Sequence, residues 1–294
     1  MLEARARQAQ SEPLPLKTRS SRPRDLPDKS AWQLFRDLGA SLRVPGFWAY
    51  GAWMDTVLRY RTHALGPVWM VSGTVVFVLV LGTLYSRVLG AEGQRYLPHL
   101  AAGIVVWGFL QHSLQGSARV FASNRNLIQN GYVHYADYIL RLLLKNSIEL
   151  AHNFLVVVAV LFFSGVTLTA AAWVLLLTVP LVFAAIMGAC FLFAVVGARY
   201  ADFQNALQSV LRVAIFVTPI IWGPHMLERG RGAFIGPFLY LNPFYYLVEV
   251  VRAPLVYGHV PWLEICVLAA AIPLIWAVAA HIYGRARAYI PLWV

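Results

Sequence analysis

Asn146, Glu149, His152 and Asn153 bring one carboxylate, two amides and an imidazole into an otherwise apolar stretch. Positions 146, 149 and 153 fall on one face of a helix, with His152 beside it. Such groups hold and pass hydrogen bonds, but no second carboxylate stands at a spacing that would make Glu149 half of an acid–base pair. Ionised and amide groups are costly against hydrocarbon, so the stripe must face a helix bundle or a water-filled path. Two readings stay open: a polar path for a ligand, or a hydrogen-bonded helix contact. The amides of Gln204, Asn205 and Gln208, with Ser209, open a later apolar stretch and carry the same choice between path lining and subunit packing. Phe238, Tyr240, Phe244, Tyr245 and Tyr246 offer flat rings, either to stack on a ligand or to form an interfacial belt.

Enzyme signatures are missing. The chain contains no GxxxxGK[ST], HExxH or GxSxG pattern, and its eight histidines are scattered. Cys190 and Cys266 sit in apolar blocks without CxxC or histidine spacing, so neither a disulfide framework nor a metal site is expected. No cofactor is expected on this chain. A membrane-embedded enzyme acting on lipid-linked sugar is the competing class, and it would need paired carboxylates or a DxD-like cluster that the 13 acidic residues do not form. Any active transport must draw its energy from a partner or an ion gradient.

The elements that position these groups follow from composition. With 59% hydrophobic and 13% charged residues and a mean hydropathy of +0.61, the chain departs from soluble domains, which carry about 25% charged residues. The net charge of +11 is concentrated in an N-terminal arm and beside apolar blocks, which suits a membrane surface rather than nucleic acid. An all-α membrane protein with six transmembrane helices is expected. Residues 1–29 read as a disordered basic tail without a cleavable signal, and 30–62 as amphipathic helices in the headgroup region, begun by Ser30 as cap. The membrane domain is expected over 63–288, with spans at about 66–86, 98–119, 145–164, 171–197, 204–223 and 263–284. The charge-free run 150–198 is too long for one crossing and must fold back at Ser164-Gly165. Residues 224–262, broken by Gly236, Pro237 and Pro243, predict a short helical re-entrant segment in the outer leaflet, and 289–294 a cytoplasmic end. Around six spans, 19 of the 24 Lys and Arg residues fall on one side, so that side and both termini are expected in the cytoplasm.

Several motifs then occur in a fixed order. Arg59-Tyr60-Arg61 with Leu65-Gly66 and Trp69 stands at the mouth of the first span. Gly103, Trp107 and Phe109, Asn126-Leu127-Ile128, His152-Asn153, Gly197-Ala198-Arg199-Tyr200 with Asp202, and Thr218-Pro219-Ile220-Ile221 follow. Leu241-Asn242-Pro243-Phe244, Arg252-Ala253-Pro254-Leu255 and Ile290-Pro291-Leu292-Trp293-Val294 complete the series. From about residue 45 onward this order resembles the membrane-spanning permeases of the polysaccharide-export, O-antigen type branch of type-2 ABC transporters. Met54, Gly73 and the segment Tyr132-Val133-His134-Tyr135 depart from the family pattern.

The resemblance implies a bacterial inner-membrane homodimer working with two copies of an ABC ATPase that holds the ATP and Mg. It implies translocation of a polyprenyl-diphosphate-linked polysaccharide, O-antigen above all, with capsule or teichoic-acid export as the alternative. Arg125 with Asn126, Leu127 and Ile128 would then form the coupling helix that docks into the ATPase. Glu149, His152, Asn153, Gln204, Asn205, Gln208, Tyr240, Phe244 and Tyr245 would lie along the substrate path.

Overall fold

The computed structural model describes residues 30–61, 66, 68–89, 93–131, 134–223 and 236–294. The expected tail 1–29 and residues 224–235 of the outer segment lie outside the described residues, as do the side chains of Tyr60 and Phe238.

All regular structure among the described residues is helical. In chain order the helices are α1 (Trp32–Arg43), α2 (Gly46–Arg61), α3 (Val68–Leu89), α4 (Gly93–Ser123), α5 (Arg125–Gln129) and α6 (Tyr135–Phe163). After a tight turn at Ala170–Val174 come α7 (Leu175–Arg199), α8 (Phe203–Val217), α9 (Gly236–Leu241), α10 (Pro243–Arg252), α11 (Trp262–Ala286) and α12 (Ile290–Trp293).

Four stretches are long and apolar enough to cross a membrane: Val68–Tyr85, Tyr135–Phe163, Ala170–Arg199 and Trp262–Ala286. The charge-free runs led to an expectation of six, and two helices account for the difference. α4 has 31 residues, about 46 Å at 1.5 Å per residue, but Arg95, His99, Gln111, His112, Gln115 and Arg119 dilute its hydropathy. α8 is apolar but has only 15 residues, about 22 Å. α6 starts at Tyr135, not near 145, because its polar first turns find partners: His134 N donates to Asp137 Oδ2 at 3.1 Å, and Arg141 reaches Asp55 on α2.

α4 is the central helix and packs against α3, α6, α7, α8 and α10, while α11 packs on α7. Trp107, Phe121, Tyr138, Phe191 and Tyr283 fill the core. α4 and α7 touch at backbone distance: a methyl group on Gly197 would stand 1.8 Å from Ala118 O, the close approach small residues allow in membrane bundles. α1 is amphipathic as expected, with Ser30 Oγ accepting from Trp32 N at 3.3 Å. Much of its polar face turns inward: Gln33, Asp37 and Ser41 are buried beside Leu34, while Trp32, Phe35, Arg36 and Leu42 are exposed. The inversion is explained by what the bundle offers, since Asp37 meets Tyr283 Oη at 2.5 Å and the Arg287 guanidinium.

At the end of the bundle away from α5, the backbone reverses through Gly165, whose φ is +67°, and Thr169 Oγ1 donates to Gly258 O at 3.2 Å. Three of the ordered motifs converge at this end. Asn242 Oδ1 caps α10 by accepting from Phe244 N at 3.0 Å, and its Nδ2 donates to Thr218 Oγ1 at 2.8 Å. Arg252, fully buried, donates to Pro219 O and to Glu249.

Candidate functional site

A cleft of about 510 Å³ opens between α2, α4 and α6 near α5. α4 contributes His112, Gln115, Arg119 and Ser123, polar positions three and four residues apart that form one stripe of the helix. α6 contributes Tyr138, Arg141, Lys145, Asn146 and Glu149 at the same helical spacing, and α2 contributes Asp55 and Arg59. Its lining holds four cationic side chains against two carboxylates, an excess of two positive charges before His112 is counted.

The charges are partly locked together. Arg141 grips Asp55 through two bonds of 2.8 and 2.6 Å, the bidentate geometry favoured by guanidinium and carboxylate. Arg59 Nη1 lies 3.3 Å from Glu149 Oε2, and His112 Nδ1 lies 3.3 Å from Glu149 Oε1. Arg119 is held by an amide: with the Gln204 oxygen turned toward it, Arg119 Nε donates at 3.1 Å. Arg119 and Lys145 have no carboxylate partner among the described residues. Tyr138 is 1% exposed, and its hydroxyl is buried without a hydrogen-bond partner. Two cations without a carboxylate partner around one opening make a receptor for an anion.

A second chamber of about 280 Å³ adjoins the first and shares His112, Asn146 and Glu149 with it. Trp69, Gly73 and Thr74 of α3, Gly108 of α4 and Asn153 of α6 complete its wall. Of the expected path residues, Glu149 lines both chambers and Asn153 the second. His152 lines neither, because its Nδ1 bonds Ile148 O of its own helix at 2.8 Å. Gln204 reaches the cleft only through Arg119. Asn205 and Gln208 stand on the exposed outer face of α8.

The rings at the other end serve different purposes. Tyr245 is 6% exposed, and its hydroxyl donates to Glu264 Oε1 at 3.0 Å. Phe244 packs edge-on against Trp107 at 5.3 Å and lines a groove with Val210, Val213 and Val217 of α8. Tyr240 is half exposed.

α5 is a surface element whose Arg125, Asn126 and Leu127 are exposed, while Ile128 is buried in the core and anchors it. Arg61 is exposed, and Trp69, 57% exposed, stands at the mouth of the second chamber. No group of His, Cys, Asp and Glu among the described residues could hold a metal ion.

Arg119, Tyr138, Arg141 and Lys145 are absent from the sequence-based set because residues 119–145 read as a polar loop between spans, and His112 because it fell inside the expected second span. Their signal was present as helical spacing on both sides of α5, visible only if both helices run past the bilayer.

Residues 50–256, more than half of the chain, match the ABC-2 type transporter family. The chain is also similar to the O-antigen export system permease protein RfbA of Klebsiella pneumoniae, at 20% identity over 179 residues that cover 60% of this chain and 68% of that protein. The ordered motifs, the helical membrane bundle and these two matches agree: the chain belongs to the ABC-2 type transporter family, as a multi-pass membrane subunit working with an ATPase partner and not as an enzyme.

Proposed function

We propose that this protein is the permease subunit of an ABC exporter that moves a polyprenyl-diphosphate-linked polysaccharide, of O-antigen type, across the bacterial inner membrane. The observation that carries the reading is the charge of the α2–α4–α6 cleft, whose excess of two cations over carboxylates suits a diphosphate. The cleft lies on the Lys- and Arg-rich side, where a lipid-linked glycan made in the cytoplasm arrives, so both termini are cytoplasmic.

In this reading α4 and α8 join the four long apolar helices as spans, giving six, and α9–α10 form the re-entrant segment. The outer face of α8 carries Asn205 and Gln208 beside exposed Val213 and Phe216. Amides facing lipid are costly, which favours a second copy of the chain against this face and a conduit between the two. α5 is the docking element for the ATPase, two copies of which hold ATP and Mg.

The test is charge reversal in the assembled exporter. With the ATPase co-expressed, Lys145→Glu should abolish surface display of polysaccharide while the two subunits still co-purify. Normal display by Lys145→Glu and by Arg119→Glu would remove the cleft from the substrate's route.

A further inference from the structure

Two arginines at one end of the bundle lack the kind of partner that their neighbour has. Arg287 is held by the Asp37 carboxylate through two bonds. Arg285, in the last turn of α11, and Arg199, the last residue of α7, are both exposed. Among the described residues neither donates a hydrogen bond or meets a carboxylate. The final carbonyls of their own helices, the ordinary acceptors for an arginine in a last turn, receive nothing from them.

Between these two cations lies a hollow of about 370 Å³, where α7 and α11 part beside α12. Its floor is apolar, made by Val195, Val196, Ile282 and Ala286, and Arg199, His281 and Arg285 stand around it. His281 precedes Arg285 by one turn of α11 and adds a ring N–H. Arg199 closes the apolar stretch Ala170–Arg199, and Arg285 stands one residue before the end of Trp262–Ala286. The floor therefore reaches into the edge of the hydrocarbon layer while the guanidiniums lie at headgroup level.

Arg199 is positioned without being consumed. Its guanidinium carbon lies 5.0 Å from the ring centroid of Trp293 and 5.7 Å from that of Tyr200, and Trp293 stacks on Tyr289 at 5.9 Å. α12 brings Trp293 there because Ile290 is fully buried and Gln129 Nε2 donates to Val294 O at 3.2 Å. A cation–π contact holds a guanidinium by its charge and leaves its N–H groups for another acceptor. Interfacial anchoring alone needs neither a hollow nor a pre-positioned set of donors.

We propose that the hollow between α7 and α11 binds an anionic glycerophospholipid, its phosphate held by Arg199 and Arg285 and one acyl chain lying on the apolar floor. A phosphodiester on a hydrocarbon chain is the chemistry present at this depth, and it matches both halves of the hollow. A zwitterionic lipid would bring an ammonium group to the same two cations. The site shares no residue with the α2–α4–α6 cleft and does not depend on what the exporter carries. The bound lipid ties the ends of α7 and α11 together beside α12, which packs on α5.

The test uses the detergent-purified exporter, this chain with its ATPase, stripped of co-purified lipid. Native mass spectrometry follows titration with phosphatidylglycerol or with phosphatidylethanolamine of the same chains. The first phosphatidylglycerol should bind about 25-fold more tightly, because each arginine at headgroup level is worth about fivefold for an anionic lipid. Arg199→Gln and Arg285→Gln should each cut that preference about fivefold, and the double variant should bring it to about one. Both side chains are exposed, and a ratio of two lipids on one preparation does not depend on how much of a variant folds. Lys145→Gln, in the cleft, should leave the preference unchanged. No preference in the wild type, one that survives the double variant, or one lost in Lys145→Gln overturns the site. So does a preference shown by the permease alone and missing from the exporter, which would give the hollow to the ATPase.

Discussion

The Asp37 carboxylate lies 2.7 Å from Arg287 Nε and 3.1 Å from Arg287 Nη2, fastening α1 to the end of α11 across most of the chain. Asp37 also accepts from Tyr283 Oη at 2.5 Å and lies 3.9 Å from His134 Nδ1, at the start of α6. One buried carboxylate thus joins the first described helix, the last long helix and the segment that follows α5.

Asp37→Ala should therefore loosen α1 and lower stability by about 2–3 kcal/mol, the range for hydrogen bonds to charged groups. Thermal unfolding of the detergent-purified protein measures the loss. Arg287→Ala should give a loss of similar size, and the double variant less than the sum of the two, because both changes break the same pair.

Gly197→Ala tests the contact between α4 and α7. The added methyl group would stand 1.8 Å from Ala118 O, and backbone cannot yield as a side chain can, so a cost of about 3 kcal/mol or more is expected. Expression and monodispersity should fall sharply, whereas Gly39→Ala on α1, with open space at its Cβ, should be neutral or slightly stabilising.

Arg252→Met should disconnect α10 from the end of α8. The guanidinium is fully buried and paired with Glu249, and removing it leaves that carboxylate uncompensated, at about 3–5 kcal/mol. Glu249→Gln combined with Arg252→Met should recover part of the loss in the same thermal assay. A double variant no better than Arg252→Met would show that Arg252 contributes through Pro219 O and His99 Nε2 and not through Glu249.

Gln204→Leu and Gln208→Leu separate two roles on α8. Gln204 steadies Arg119 in the cleft, so its loss should reduce surface display of polysaccharide while the subunits still associate. Gln208 faces outward, and its loss should instead reduce recovery of the dimer in crosslinking. Exchange of these two outcomes would mean that α8 is rotated in the assembled exporter.

Sidedness can be read by thiol labelling with Cys266 replaced by Ser. A cysteine at Arg125 should be shielded from an impermeant reagent in intact spheroplasts, and one at His259 should react. Both positions are exposed in the subunit, so the opposite pattern would invert the orientation.

Hydropathy and motif order alone determined the class of this protein, because a hydrocarbon solvent forces helices and excludes charge from long runs. The turn at Ser164-Gly165, the cap at Ser30 and the polar face of α6 with Glu149 and Asn153 were legible for the same local reasons: left-handed backbone, an orphan amide and helical spacing. Tertiary structure decided which polar groups meet. His152 and Asn153 are neighbours in sequence, yet only Asn153 lines a chamber, since His152 closes onto its own helix. Arg119 and Lys145 are 26 positions apart, on opposite sides of α5, and share one cleft because α4 and α6 run antiparallel past the apolar layer. Periodicity gives the face of each helix, but the cleft's excess charge is a sum over three helices whose rotation is set by packing such as the Gly197–Ala118 contact.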